Sequence, residues 1–214
     1  MATTLSLSPR RSVALSVAGI IALAAIVLLS LRFYIRDPLH YLVDQSEKSF
    51  GRYWPHRGVL TLHIIGGTLA LFMGPFQLWS GLRQRHFEIH RWTGRLYILG
   101  ILIAGVGAFS LATYAEPRDF GYALAFLAVA WWMCVGMGFY CIRRNRIDQH
   151  REWMIRGYVI TFAFVLFRIL SDLHFAAALG EQQYALDAWV SWTAPLLITE
   201  VVLGLIRLQR ETTQ

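Results

Sequence analysis

Histidine is the residue type in this chain best suited to chemistry, because a neutral imidazole ligates metals and haem iron and titrates near neutral pH. His63 stands inside a run that continues to Leu82 without a Lys, Arg, Asp or Glu. His90 and His150 each precede an arginine, as His90-Arg91 and His150-Arg151, and His174 follows Asp172. By position these rings form two layers, His63 with His174 and His90 with His150. Two stacked haems would need two such pairs at two depths, and a single haem or metal site would need one. The same rings also serve as ordinary buried or interfacial groups. His86 stands one helical turn before His90, a spacing that lets both approach His150 as a chelating set.

The remaining chemistry lies in arginines and carboxylates. Arg156 and Glu200 fall at similar depths in two different apolar runs, and a lone carboxylate at that depth needs a cation. Arg168 falls near the level of His63, with Asp172 one turn further on. Arg91, Arg95, Arg151 and Arg156 cluster where they would neutralise haem propionates or an anionic headgroup. Cys134 and Cys141 lie in one apolar run and read as packing residues. There is no nucleotide-binding glycine loop, Ser/His/Asp constellation or zinc-hydrolase motif, so a soluble-type enzyme is not expected.

The elements that must position these groups follow from composition. The chain has 214 residues, 56% hydrophobic and only 15% charged, against about 25% charged in an average soluble domain. The fold expected is all-α and polytopic, with six transmembrane helices at 12–31, 58–82, 94–115, 120–142, 153–172 and 188–206. Without water to satisfy it, backbone at membrane depth must be helical. Residues 1–11 and 207–214 form short tails, and 12–206 is one domain. The 20 cations sit in short clusters between these runs and include a single lysine, Lys48. That pattern fits membrane topology and excludes a nucleic-acid partner. The lipid bilayer is the partner the composition demands.

Thirteen arginines flank one side, from Arg10 and Arg11 through Arg91, Arg95, Arg151 and Arg156 to Arg210, against six cations on the other. Both termini are therefore expected in the cytoplasm, with 32–57 as the main external feature, an interfacial loop or short helix. A weak internal repeat is visible: His90-Arg91 followed by Arg95-x-Tyr97, and His150-Arg151 followed by Arg156-x-Tyr158. It suggests that spans two to five form two related hairpins packed as a central four-helix bundle, with spans one and six at the edges.

The combination His63-x-x-Gly66, Gly74-Pro75-Phe76-Gln77, His90-Arg91-x-x-Gly94-Arg95-x-Tyr97 and His150-Arg151-x-Trp153-Met154-x-Arg156 resembles a bacterial group of predicted membrane proteins, domain-of-unknown-function family 2306. Arg168 also resembles that pattern, and the likeness covers roughly residues 58–170. It implies a multi-pass protein of the bacterial inner membrane with a shared His and Arg set, and assigns no reaction. In outline the architecture is also similar to the transmembrane diheme b-type cytochromes. The fourth span departs from that second likeness, since it contains no histidine.

The leading expectation is a His-lined bundle that binds haem b or another redox cofactor and passes electrons, to or from quinone or a redox partner. His63, His90, His150 and His174 are its candidate iron ligands. Arg91, Arg95, Arg151, Arg156 and Arg168 are its candidate contacts to the cofactor's acidic groups. The alternative is a cofactor-free transporter or binding protein in which the same residues line a polar pathway, or an accessory subunit without chemistry.

Overall fold

A computed structural model describes residues 9–83, 86–173 and 177–212. The chain is helical, with no strand among the described residues. In order it forms α1 (Pro9–Arg36), α2 (Pro38–Val43), α3 (Glu47–Phe50), a 3-10 segment (Gly51–His56), α4 (Arg57–Arg83) and α5 (Phe87–Ala112). It continues with α6 (Arg118–Arg143), α7 (Ile147–Thr161), α8 (Ala163–Asp172), a second 3-10 segment (Ala177–Gln182) and α9 (Gln183–Glu211). Six helices are long and apolar enough to cross a membrane, α7 and α8 together counting as one. Their outward faces carry large apolar side chains, such as Leu28, Val106, Phe126 and Leu197, which in water would be unprotected and in lipid are solvated.

The helix starts differ from those drawn by hydropathy. The third span begins at Phe87 rather than 94, and the fifth at Ile147 rather than 153. The added turns hold Glu88, His90, Arg91, Asp148, His150 and Arg151, polar residues that lower hydropathy without opposing helix formation. Glu88 and Asp148 also lie in first turns, where negative charge favours the helix dipole. The first helix extends to Arg36, and 37–56 consists of short helical segments.

The centre is a ring of four spans: α4 packs on α5, α5 on α6, α6 on α7, and α7 closes on α4. The first span, α1, lies outside against α4 and α8, and α9 lies outside against α6, α7 and α8. Small residues bring α4 and α5 nearly backbone to backbone. A Cβ on Gly66 would stand 2.6 Å from the Gly100 carbonyl oxygen, and one on Gly107 would stand 2.8 Å from His63 Cβ. Small residues supply this closeness where lipid removes any hydrophobic drive for helices to associate. The core between the four helices includes Ala70, Tyr97, Ile101, Ala104, Trp131, Cys134, Tyr158 and Ile160.

The fifth span is interrupted between α7 and α8 at Phe162. Beside the break, Thr161 Oγ1 donates back to the Gly157 carbonyl at 2.8 Å.

Candidate functional site

Among the described residues, cavities open between the helices at both ends of the bundle. The first, of about 310 Å³, lies at the arginine-rich end and is lined by His90, His150, Arg91, Arg151, Gln77 and Met154 among others. Its two histidines come from different helices and are held alike. His90 Nδ1 lies 2.8 Å from Ser80 Oγ, and Ser80 commits its hydrogen to the Phe76 carbonyl at 2.7 Å. With the Ser80 hydrogen on that carbonyl, Ser80 accepts and His90 Nδ1 carries the proton. His150 Nδ1 lies 2.8 Å from the Gly138 carbonyl of α6, which can only accept. In both rings Nε2 is left as the lone-pair nitrogen, with no hydrogen bond among the described residues.

Gln77 fixes the backbone near His90, donating to the His90 carbonyl at 3.0 Å and to Thr93 Oγ1. Gly81 leaves room beside the ring, since a Cβ there would meet His90 Cε1 at 3.5 Å.

The second cavity, of about 170 Å³, lies at the opposite end beneath α2 and is lined by His63, Arg168, Asp37, Tyr41, Trp131 and Phe164 among others. His63 Nδ1 lies 2.7 Å from the Ala104 carbonyl, so this ring too carries its proton on Nδ1. Phe164 meets the ring edge to face at 6.4 Å. Arg168 holds Asp37 through Nη2–Oδ1 at 3.1 Å. Burial pushes the Tyr41 hydroxyl above its ordinary range, which keeps it a donor at the cavity mouth.

A hydrogen-bonded layer separates the cavities. Tyr97, which borders the first, meets Thr161 Oγ1 of the second at 3.0 Å, and Trp131 Nε1 donates to the same oxygen at 2.9 Å. With the Thr161 hydrogen on the Gly157 carbonyl, the Tyr97 hydroxyl donates as well. Tyr158 adds a bond to the Leu71 carbonyl at 3.4 Å.

The other candidate residues are distributed as follows. Arg156 and Glu200 form a bidentate pair, with Nη2–Oε2 at 2.8 Å. Glu152 joins it, 3.7 Å from Arg156 and paired with Arg207, so α7 and α9 are laced together by four charges. Arg156 is thereby taken up by carboxylates, and Arg95 lies over the Trp92 ring at 4.5 Å. Neither borders the first cavity, which Arg91 and Arg151 do. Arg168 takes Asp37 as its partner, whereas Asp172 pairs with Arg36 and, at 3.8 Å, with Arg32. The end of α1 and the start of α2 bring these partners to α8. His86 sits at the start of α5 with φ 57°, stacked on Trp79, and does not join a chelating set. Among the described residues no three His, Cys, Asp or Glu side chains converge on one point. His174 lies outside the described residues.

Sequence reasoning did not single out Ser80, Thr161 or Asp37, and met Tyr97 only as part of a repeat and a motif; all are common residue types whose role depends on what they face. It also passed over Asp187, fully buried, whose Oδ2 accepts from Ser171 at 3.2 Å and Gln183 at 3.3 Å while Oδ1 has no partner. Its place in a polar flank concealed it.

Six apolar spans among the described residues define a multi-pass membrane protein. Residues 60–203 match the model of the family described as Predicted membrane protein (DUF2306), and the chain belongs to that family. No curated protein and no solved structure matches the chain.

Proposed function

We propose that this protein is a haem-b electron carrier of the bacterial inner membrane, with the arginine-rich end and both termini facing the cytoplasm. One observation carries the reading: His90 and His150, from two helices, line one cavity with Nδ1 engaged and Nε2 left over. Metal-ligating histidines are typically held in this way, the outer nitrogen donating to a carbonyl or hydroxyl. The other lining residues fit a haem as well. Arg91 and Arg151 stand where propionates need cations.

Haem would supply reversible one-electron chemistry at this position. The protein's part is to bind, orient and seal. Ser80 and the Gly138 carbonyl fix the ring planes of His90 and His150. Tyr97 and Tyr158, buried at 1% and 5% exposure, close the floor against water. Quinone or a redox protein remains the candidate electron partner.

Visible spectroscopy of the purified full-length protein tests the proposal. A Soret band with a sharp α-band on reduction is expected, lost in His90→Ala and in His150→Ala. A colourless protein with no bound iron after expression with haem supplied would overturn it, and would favour the cofactor-free pathway.

A further inference from the structure

The His63 cavity differs in kind from the paired-histidine cavity. Among the described residues it is lined by one histidine, and its deep polar groups are already satisfied within the protein. Thr68 donates to the Ile64 carbonyl at 2.7 Å, Trp131 to Thr161, and Thr161 to Gly157. What remains open is a fixed acceptor and a charged mouth. His63 is pinned from three sides, by the Ala104 carbonyl, by the Phe164 edge and by α5 backbone that only Gly107 allows so near. Its protonated Nδ1 leaves Nε2 as an acceptor without a partner. At the mouth, Arg168 Nε and Asp37 Oδ2 are buried without hydrogen-bond partners, and Tyr41 is a donor.

A ligand for this space must present a hydroxyl to Nε2, a flat apolar body to Phe164, Trp131 and Leu71, and a second polar atom to the mouth. The volume, about 170 Å³, is below the roughly 300–1,000 Å³ of sites that enclose drug-sized ligands, so it takes a ring-sized head with the rest in lipid. We infer that the His63 cavity binds the head of a membrane-soluble para-dihydroxyarene of the quinol class, with one hydroxyl donating to His63 Nε2. The inference deepens the electron-carrier reading by naming the class of its lipid-phase partner, and takes its biological sense from that reading. The binding itself does not depend on it.

The selectivity has a sign. A quinol can donate to Nε2, whereas the corresponding quinone has no hydrogen to give and would leave a buried acceptor facing a carbonyl oxygen. Sites built around one hydrogen bond reject the analogue that lacks it. Gly67, which lines the cavity, offers a second handle: a Cβ there meets nothing within 4 Å, so a side chain can start from this wall without a backbone clash.

The test uses the full-length protein in lipid nanodiscs, titrated anaerobically with a decyl-substituted dimethoxy-methyl-benzoquinol and, separately, with its oxidised form. Calorimetry gives the affinities, and haem content is measured on the same samples. One saturable quinol site is expected, with the quinone at least tenfold weaker. His63→Phe and Gly67→Leu should each weaken quinol binding at least tenfold while leaving haem content unchanged. Equal affinity for the two redox forms, or binding indifferent to both substitutions, overturns the inference. So does loss of haem in His63→Phe, which would make His63 an iron ligand. Quinol binding by a colourless protein would sustain this inference and overturn the electron-carrier reading; a haem protein without quinol binding would do the reverse.

Discussion

Replacing Thr161 with valine removes one oxygen and keeps the side chain's shape, so it probes hydrogen bonding without opening a void. Two donors lose their acceptor, the Tyr97 hydroxyl and the Trp131 indole N–H. Both rings are buried, at 1% and 5% exposure, and water cannot replace the lost partner. Hydrogen bonds within membranes average about 0.6 kcal/mol and reach about 1.7, while a buried orphan donor in a soluble protein costs about 1–3. For two donors the loss should fall between about 1 and 3 kcal/mol. Tyr97→Phe removes a donor and leaves Thr161 bonded to Trp131, so it should cost under about 1 kcal/mol. The double variant should cost less than the sum, because without the Tyr97 hydroxyl only the indole N–H is left to orphan. Equilibrium unfolding in mixed detergent micelles, followed by helical circular dichroism, reads all three. A Thr161→Val loss under about 0.5 kcal/mol, or strict additivity in the double variant, would refute the hub assignment.

Glu200→Gln should destabilise the protein by about 1–2 kcal/mol in the same assay, less than the about 3–5 expected of a broken buried pair, because Arg156 keeps Glu152 at 3.7 Å. Gly66→Ala should cost about 1–3 kcal/mol through its clash with the Gly100 carbonyl, whereas Gly67→Ala, one residue on, should be neutral or slightly stabilising; equal effects would contradict the packing described. Ser80→Ala should weaken haem retention about 10–100-fold without removing an iron ligand, read by haem transfer to an apo-acceptor protein. Reporter fusions after Gln84, Asn145 and Gln214 should report cytoplasm, and those after Gln45, Arg118 and Gln182 periplasm; two or more reversals would overturn the orientation.

The six spans were legible because charge is excluded from lipid, and long uncharged runs admit few other readings. Helix starts were less legible, since hydropathy loses a helix where it enters a polar interface, as at Phe87 and Ile147. The depth arithmetic set Arg156 beside Glu200, and the two are paired in the structure. It placed Arg168 near His63 and Asp172; Arg168 lines a cavity with His63, and its ion pair is with Asp37, in a segment whose return against α8 no periodicity encodes. The tethers on His63 and His150 were invisible for a simpler reason: they are backbone carbonyls, of Ala104 and Gly138, and every residue has one. The fourth span, noted for having no histidine, contributes that Gly138 carbonyl.

The layer between the cavities bears on what can cross the protein. A proton relay needs each member to accept on one side and donate on the other. Thr161 accepts from both Tyr97 and Trp131, and its only hydrogen goes to the Gly157 carbonyl within its own helix. Trp131 Nε1 can donate and cannot accept. With that hydrogen on Gly157 the chain of bonds converges on Thr161 and ends there, and in that arrangement protons have no continuous path through it. A solute would also have to displace Tyr97 and Trp131 from the packed core. Electrons are under neither constraint, because tunnelling needs proximity of donor and acceptor and no mobile hydrogen. A sealed layer joining two histidine-lined cavities is thus an obstacle for a transporter and none for an electron carrier. Proteoliposomes give the discriminating measurement: the native protein should hold an imposed pH gradient as well as protein-free vesicles do. A proton flux dependent on Tyr97 or Thr161 would show that the layer opens, and would return the transporter reading to first place.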